Sequence, residues 1–289
     1  MSKCNYLDEN ASGFLVEYRG NFKEQMDKVD YACGDMITDT LAVVSVSEAD
    51  LDRLRKDVPA IRFIEPRSVY TLQELSPSVV DNINQIKVNP YLNLTGRGVV
   101  VGLVDTGINY TNPEFIREDG TSRILGIWDQ TLDTKTEPYV YVGSVYNNED
   151  INKALEVQRS GGNPYDNVPS RDDNGHGTAM AGIIGAMGYN GEMEGIANDC
   201  DFLIVKLLES PNYKKILREN NLPEVPVYNN TEVLAGIEFL RVTAYNLRKP
   251  LVLFLGVGSN DGSHDGYGIT SGYLTSLASK GGSIYVTGT

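Results

Sequence analysis

Two short stretches hold the side chains best suited to chemistry. Residues 99–107 read Val-Val-Val-Gly-Leu-Val-Asp-Thr-Gly, and residues 172–182 read Asp-Asp-Asn-Gly-His-Gly-Thr-Ala-Met-Ala-Gly. The first is an apolar run that delivers a carboxylate, Asp105, at its end. The second is a glycine-flanked imidazole, His176, opening a helix of small residues. A hydroxyl is a poor nucleophile unless a base takes its proton, and the base needs a partner that holds its tautomer and stabilises its charged form. His176 has the chemistry of that base and Asp105 of that partner. Gly175 and Gly177 are expected to let the backbone pass close beside a substrate. Thr178, Ala179 and Ala181 allow the helix to pack tightly on a sheet. Taken singly, a strand-end Asp is more often a cap and a lone His an ordinary core or surface residue; the two motifs together, in this order, argue for the pair.

The other titratable candidates read more plainly. Asp172 and Asp173 precede His176 and are read as a loop and helix N-cap rather than as groups placed to raise its pKa. His264, in Gly262-Ser-His-Asp-Gly266, reads as a solvated loop histidine rather than a second base. Asp129, Asp133 and Glu137 are candidates for calcium, but their spacing matches no dedicated calcium loop, so no cofactor is expected, with calcium kept as the alternative. Gly-Leu-Val-Asp-Thr-Gly lacks the glycine pattern that cradles a phosphate.

The elements that must position Asp105 and His176 follow from hydrophobic patterning. Val99–Val104, Phe202–Leu208, Leu251–Val257 and Ile284–Thr287 are apolar runs without clean alternation, as expected of strands buried on both faces. Helical patterns separate them at 176–187, at 231–247 with Leu234, Ile237, Leu240 and Ala244 on one face, and at 271–280. Alternating strand and helix predicts an α/β fold with a parallel sheet flanked by helices, whose ligands bind beyond the carboxyl ends of the strands. Asp105 sits at such an end. The stretch 116–171, with a strand at Ile124–Trp128, reads as an insertion decorating this core.

Residues 14–70 have a different pattern. Phe14–Tyr18, Thr40–Val46 and Ala60–Glu65 read as strands and Asn21–Val29 as a short helix. Ser47 caps a second helix carrying Leu51, Leu54 and Val58. The domain division is therefore 1–75, a small α+β unit, and 76–289, the larger α/β unit, with residues 71–98 as linker.

Length suits one large domain or two unequal ones. The 41% hydrophobic content and 22% charged content are those of an ordinary globular protein. A net charge of −14 argues against nucleic-acid binding, which needs basic surface. No run is long enough to span a membrane and the start resembles no signal peptide. Cys4, Cys33 and Cys200 are odd in number and widely spaced, fitting neither a metal site nor a disulfide framework and pointing to a reducing compartment. A cytoplasmic protein, kept inside the cell that makes it, is expected.

Asp-Thr-Gly-Ile at 105–108, His-Gly-Thr at 176–178, Gly-Ile-Ala at 195–197, Leu-Ile-Val-Lys-Leu-Leu at 203–208 and Gly-Ile-Glu at 236–238 resemble the subtilisin-like serine proteases in order and character. The resemblance runs from about residue 72 to the end. The long interval from Asp105 to His176, with Arg123-Ile-Leu-Gly-Ile-Trp-Asp129, Val168-Pro-Ser170 and the His264 loop, is similar to the clostridial spore-germination subtilases, which retain a prodomain and cleave a cortex-lytic zymogen. Residues 14–70 are similar in pattern to the subtilisin prodomain, a chaperone and inhibitor of the protease.

The resemblance implies a serine endopeptidase acting on a protein or peptide substrate. It implies a substrate wall at Gly256, Val257 and Gly258, although the family's usual Ser-Leu-Gly is here part of Phe254-Leu-Gly-Val-Gly258. An oxyanion-hole Asn would follow in a Gly-Asn pair, where this sequence has Gly288-Thr289, and Gly288 is a substrate-binding candidate. The Gly-Thr-Ser segment of the nucleophile would come well downstream of this point; the one Gly-Thr-Ser in these 289 residues, at 120–122, lies between Asp105 and His176, out of that order. The chain is therefore expected to be incomplete and inactive by itself. It fits either part of an intracellular protease zymogen or a non-catalytic binding or regulatory protein that keeps the scaffold. Residues 66–75 follow the small unit's last strand and should be extended, lying in the cleft along Gly256–Gly258, with the junction within Val69–Ser76.

Overall fold

The computed structural model describes residues 4, 6–10, 12–73, 94–134, 137–191, 194–262 and 265–287. The chain begins with a four-stranded antiparallel sheet built from β1 (Ser12–Tyr18), β2 (Cys33–Met36), β3 (Leu41–Val46) and β4 (Ile61–Ile64), in the order β2-β3-β1-β4. Helices α1 (Phe22–Met26) and α2 (Leu51–Asp57) cover one face, where Phe14, Val16, Val44, Phe22, Met26 and Leu54 form a buried cluster. Ser47 accepts from Ala49 N and opens a 3₁₀ turn that leads into α2. Strand β2 has no counterpart in the sequence reading. Its four residues, Cys-Gly-Asp-Met, carry little β propensity and are held by pairing with β3.

Cys4 and Cys33 form a disulfide, with Cα atoms 5.5 Å apart, a normal separation. This corrects the expectation of unpaired cysteines. The two are 29 positions apart but meet because the amino-terminal segment returns to β2, where Tyr6 Oη donates to Asp35 at 2.8 Å. The cysteine argument for a reducing compartment falls with it. Cys200 is free and buried.

Strand β5 (Val69–Leu72) leaves the small unit, and the larger unit follows: β6 (Val100–Asp105), β7 (Ile124–Asp129), β8 (Ser144–Asn147), α3 (Asn148–Arg159), α4 (His176–Gly185), β9 (Asp201–Lys206), α5 (Pro211–Glu219), β10 (Tyr228–Asn229), α6 (Asn230–Asn246), β11 (Leu251–Leu255), β12 (Val257–Gly258), α7 (Ile269–Ala278) and β13 (Ser283–Thr287). Six strands form one sheet in the order β13-β11-β6-β9-β7-β8. All neighbours are parallel except β7 and β8. This is the expected α/β fold with helices on a mostly parallel sheet.

Burial explains the missing alternation in β6, β9 and β11, but β13, expected to be buried on both faces, is an edge strand with Ile284 and Val286 exposed. In β6, Val100 and Val104 join the cluster under α6, whereas Val101 and Leu103 join the one under α3 and α4. Both faces are apolar because both are covered. Gly102 lets α6 approach, since a Cβ there would stand 3.0 Å from Leu240. The region 116–171 is less peripheral than its composition suggests. Its β7 is an internal strand, between β9 and β8, and Trp128 is buried with its indole N–H donating to Val142 O at 2.9 Å.

The small sheet's other face packs on the larger unit, where Leu15 and Leu41 meet Leu234 of α6, with Ile269 and Tyr273 of α7 against them. Glu65, just after β4, reaches two helix starts. Its Oε1 accepts from Ile269 N and its Oε2 from Asn230 Nδ2, both at 2.8 Å. Burial pushes the Glu65 carboxyl up from its ordinary value, against those hydrogen bonds. Among the described residues, no helix is long and apolar enough to cross a membrane.

Candidate functional site

Asp105 is the last residue of β6 and is fully buried. His176 is the first residue of α4, with 14% of its side chain exposed. The sheet and helix bring them together: His176 Nδ1 stands 2.8 Å from Asp105 Oδ1 and 3.0 Å from Oδ2. Asp105 Oδ1 also accepts from Thr106 N at 2.6 Å. The other imidazole nitrogen, Nε2, stands 2.8 Å from the carbonyl oxygen of Gln73. Both nitrogens thus face acceptors, an arrangement satisfied in full by the imidazolium, in which both carry protons. The hydrogen bond to Asp105 raises the His176 pKa above its usual value; burial opposes it, while the Asp105 charge, the Gln73 carbonyl and the charge of Asp172 add to the rise.

The glycines beside His176 act within the fold. Gly175 has φ +86°, a left-handed conformation that starts the helix. Gly177 lies against the turn after β6, where a Cβ would fall 2.2 Å from Gly107 O. Gly177 thus has a packing role, whereas a Cβ at Gly175 would meet open space and its requirement is the backbone conformation.

The substrate-wall candidates Gly256, Val257 and Gly258 do meet an extended segment. Strand β5 pairs antiparallel with β12 in the register Val257↔Leu72 and Gly258↔Thr71, and Gln73 N donates to Gly256 O at 3.0 Å. On its other edge β5 pairs with β10, Tyr228↔Tyr70 and Asn229↔Val69. The segment is thus a central strand of a three-stranded sheet that ends at His176. Gly256 touches both sides of the site, since a Cβ there would fall 1.7 Å from Asp105 Oδ2. Gly288, His264 and the part of the expected junction beyond Gln73 lie outside the described residues.

Sequence reading missed Gln73 as an individual and the whole β10 wall. Val227-Tyr228 is β-prone, but a two-residue strand has no periodicity to detect. Asp172 does cap α4, and it does more: its oxygens accept four hydrogen bonds, from Thr106, Gly175 and both the amide and hydroxyl of Thr178. Burial pushes the Asp172 carboxyl up, but these bonds outweigh it and hold it below its ordinary value.

The calcium candidates do not converge. Asp129 Oδ1 accepts from Thr131 N and Oγ1 at 2.9 and 2.6 Å, and Oδ2 faces Lys206 Nζ at 3.9 Å. Among the described residues no group of three or more His, Cys, Asp or Glu side chains could hold a metal ion, whereas calcium takes roughly six to eight oxygens.

The chain is similar to known proteins both in sequence and in structure. Residues 96–225 match the model of the subtilase family. The chain is 29% identical over 174 residues to an alkaline protease of Alkalihalobacillus alcalophilus, a match covering 59% of this chain and 34% of that protein. It is 32% identical over 117 residues to the serine protease AprX of Bacillus subtilis (strain 168), covering 40% of this chain and 18% of the relative. The chain thus spans about a third or less of the length of these relatives. Among solved structures, the CspB protease of Clostridium perfringens is similar with a TM-score of 0.55 and 31% identity, covering 71% of this chain and 38% of that one. With Asp105 closing a parallel strand and His176 opening the helix beside it, the chain carries a domain of the subtilase family.

Proposed function

We propose that this chain is the amino-terminal part of a serine endopeptidase zymogen, with Asp105 and His176 as two members of a triad whose serine lies in sequence beyond Thr289. His176 is the general base: Nε2 takes the serine proton and later returns it to the leaving amine, while Asp105 holds the Nδ1–H tautomer and stabilises the imidazolium. The observation that carries the reading is the 2.8 Å contact between Asp105 Oδ1 and His176 Nδ1, with Nε2 turned toward the end of an extended segment. Substrates bind as β5 does, as a strand added between β10 and β12, so that backbone hydrogen bonds supply affinity and side-chain subsites supply choice.

Residues 1–73 act as a prodomain in this reading. Its tail occupies the cleft and sets the Gln73 carbonyl against His176, which supports a junction at the peptide bond following Gln73. Once cut there, the tail remains as a product-like inhibitor. Processing of a spore-germination zymogen, in the cytoplasm or spore, is the setting implied by the resemblance to the clostridial subtilases. A second reading has one observation in its favour: the tail fills the site at His176, which also suits a non-catalytic regulator that never releases it.

Mass spectrometry of a longer form of the chain, extended past Thr289 through a downstream Gly-Thr-Ser segment, tests the proposal. Cleavage after Gln73 that disappears in His176→Ala supports the zymogen. Cleavage that persists in that variant assigns the cut to another protease, and no cleavage in either form favours the regulator.

A further inference from the structure

We propose that Asp172 is a positioning residue for the Asp105–His176 pair, tying the turn after β6 to the first turn of α4 so that carboxylate and imidazole meet in one geometry. The inference rests on the reading of Asp105 and His176 as a working pair.

An ordinary helix cap needs one side-chain oxygen on one or two free amides. Asp172 supplies that cap through Gly175 N at 2.8 Å and Thr178 N at 2.8 Å. It also accepts from Thr106 Oγ1 at 2.7 Å, and Thr106 belongs to another element: it follows Asp105 directly. That contact has no part in capping the helix. The Thr106 hydroxyl, having given its proton to Asp172, accepts from Gly177 N at 2.9 Å, the residue after His176. Thr178 repeats the pattern, donating its hydroxyl to Asp172 at 2.6 Å and accepting from Asn109 N at 2.9 Å. The result is a closed polar ring whose members flank Asp105 on one side and His176 on the other.

The chemistry of the ring requires a carboxylate. Four donors converge on two oxygens, and an ionised Asp is acceptor-only. An Asn of the same shape would present an N–H₂ group to one of those donor pairs. Asp172 touches neither His176 nor the tail among the contacts of the site; it acts through Thr106, Gly175 and Thr178. Its charge also bears on the imidazole. The titratable groups facing this corner are Asp105 from β6, Asp172 from the loop before α4 and the buried Tyr228 of β10, whose phenol feels both carboxylates. Lys206 of β9 is turned to Arg171 O at 2.6 Å, with Asp173 3.8 Å away. The Arg171 guanidinium lies 3.6 Å over the Tyr165 ring. Packing alone leaves a helix free to shift by fractions of an ångström, and an offset of about 1 Å in a catalytic geometry can cost roughly 10²-fold in rate.

The test uses the 289-residue chain and needs no peptidase activity. Proton and nitrogen NMR of His176 report the Nδ1–H resonance, shifted downfield by a carboxylate partner, and the pH midpoint of the ring. In Asp172→Asn and in Thr106→Val the downfield resonance should be lost or broadened and the midpoint should fall, whereas Thr106→Ser should keep both. An Asp172→Asn chain with unchanged circular dichroism, an unchanged resonance and an unchanged midpoint overturns the proposal. If Asp172→Asn does not fold, identical His176 spectra in Thr106→Val and Thr106→Ser overturn it. Asp105→Asn separates the two levels of the argument: if it leaves His176 unaltered, the pair itself fails and the positioning role with it. If it alters His176 while the Asp172 and Thr106 variants do not, only the positioning role fails.

Discussion

The carbonyl oxygen of Gln73 sits 2.8 Å from Nε2 of His176, although 103 positions separate the two residues. It thereby occupies the imidazole edge that a nucleophile's hydroxyl would use, and it does so as the end of a strand held on both sides. The imidazole lies between this carbonyl and the Asp105 carboxylate, and its charged form satisfies both.

That arrangement sets a pH dependence. The folded pKa of His176 is raised, first by the Asp105 hydrogen bond. Its stabilising contribution is therefore fully present below the unfolded value of about 6.5 and is lost as pH rises through the higher folded value. The segment ending at Gln73 should be held more tightly at mildly acid pH and loosen at alkaline pH. Amide exchange at Leu72 and Gln73, compared with and without His176→Ala in a His264→Ala background, checks this. Equal protection at acid and alkaline pH in the His176 form would sink it.

Gly256→Ala should damage the site from within. The new Cβ would fall 1.7 Å from Asp105 Oδ2 and 2.6 Å from its Cγ, and Asp105 is too buried to move aside. Overpacking of this kind costs about 1–3 kcal/mol, and the Gln73 N to Gly256 O bond should lengthen. Thermal melting together with the His176 spectrum reads both effects; a variant identical to the parent in both would show that the strand backs away without cost.

Arg123→Met should destabilise the larger unit. The buried Arg123 guanidinium donates to Cys200 O at 2.9 and 2.7 Å, to Gly185 O at 2.5 Å and to Glu114 O at 3.1 Å, so it closes the carboxyl end of the helix that His176 begins. Methionine leaves these buried acceptors unmet, at about 1–3 kcal/mol for each one stranded. A fall in stability of about 3 kcal/mol is expected by urea unfolding. A change below about 1 kcal/mol would mean that water replaces the guanidinium.

Glu65→Ala should loosen the two units from each other. It removes the acceptor for Ile269 N at the start of α7 and for Asn230 Nδ2 at the start of α6; loss of a helix cap costs about 0.5–2 kcal/mol. Limited proteolysis within 66–73 should quicken, and Glu65→Gln, which keeps a carbonyl oxygen for Ile269, should recover part of the protection. Equal cleavage rates in all three forms would remove Glu65 from the contact.

What the sequence by itself determined is local and periodic. The apolar run before Asp105, the small-residue helix after His176, and the helical stripe of Leu234, Ile237, Leu240 and Ala244 are each encoded within a dozen residues. Burial on one or both faces leaves a direct mark on residue type. The parallel sheet was legible for the same reason, as was the extended character of the segment after Pro66. What only the tertiary structure decided are relationships between elements far apart in the chain. The pairing of β5 with β10 and β12 comes from backbone groups, which every sequence possesses. The burial of β7 inside the sheet depends on its partner β9 rather than on its own composition. Cys33 found Cys4 through the path of the amino-terminal segment. Gly256 and Asp172 owe their importance to a neighbour's oxygen that only the folded chain brings within contact.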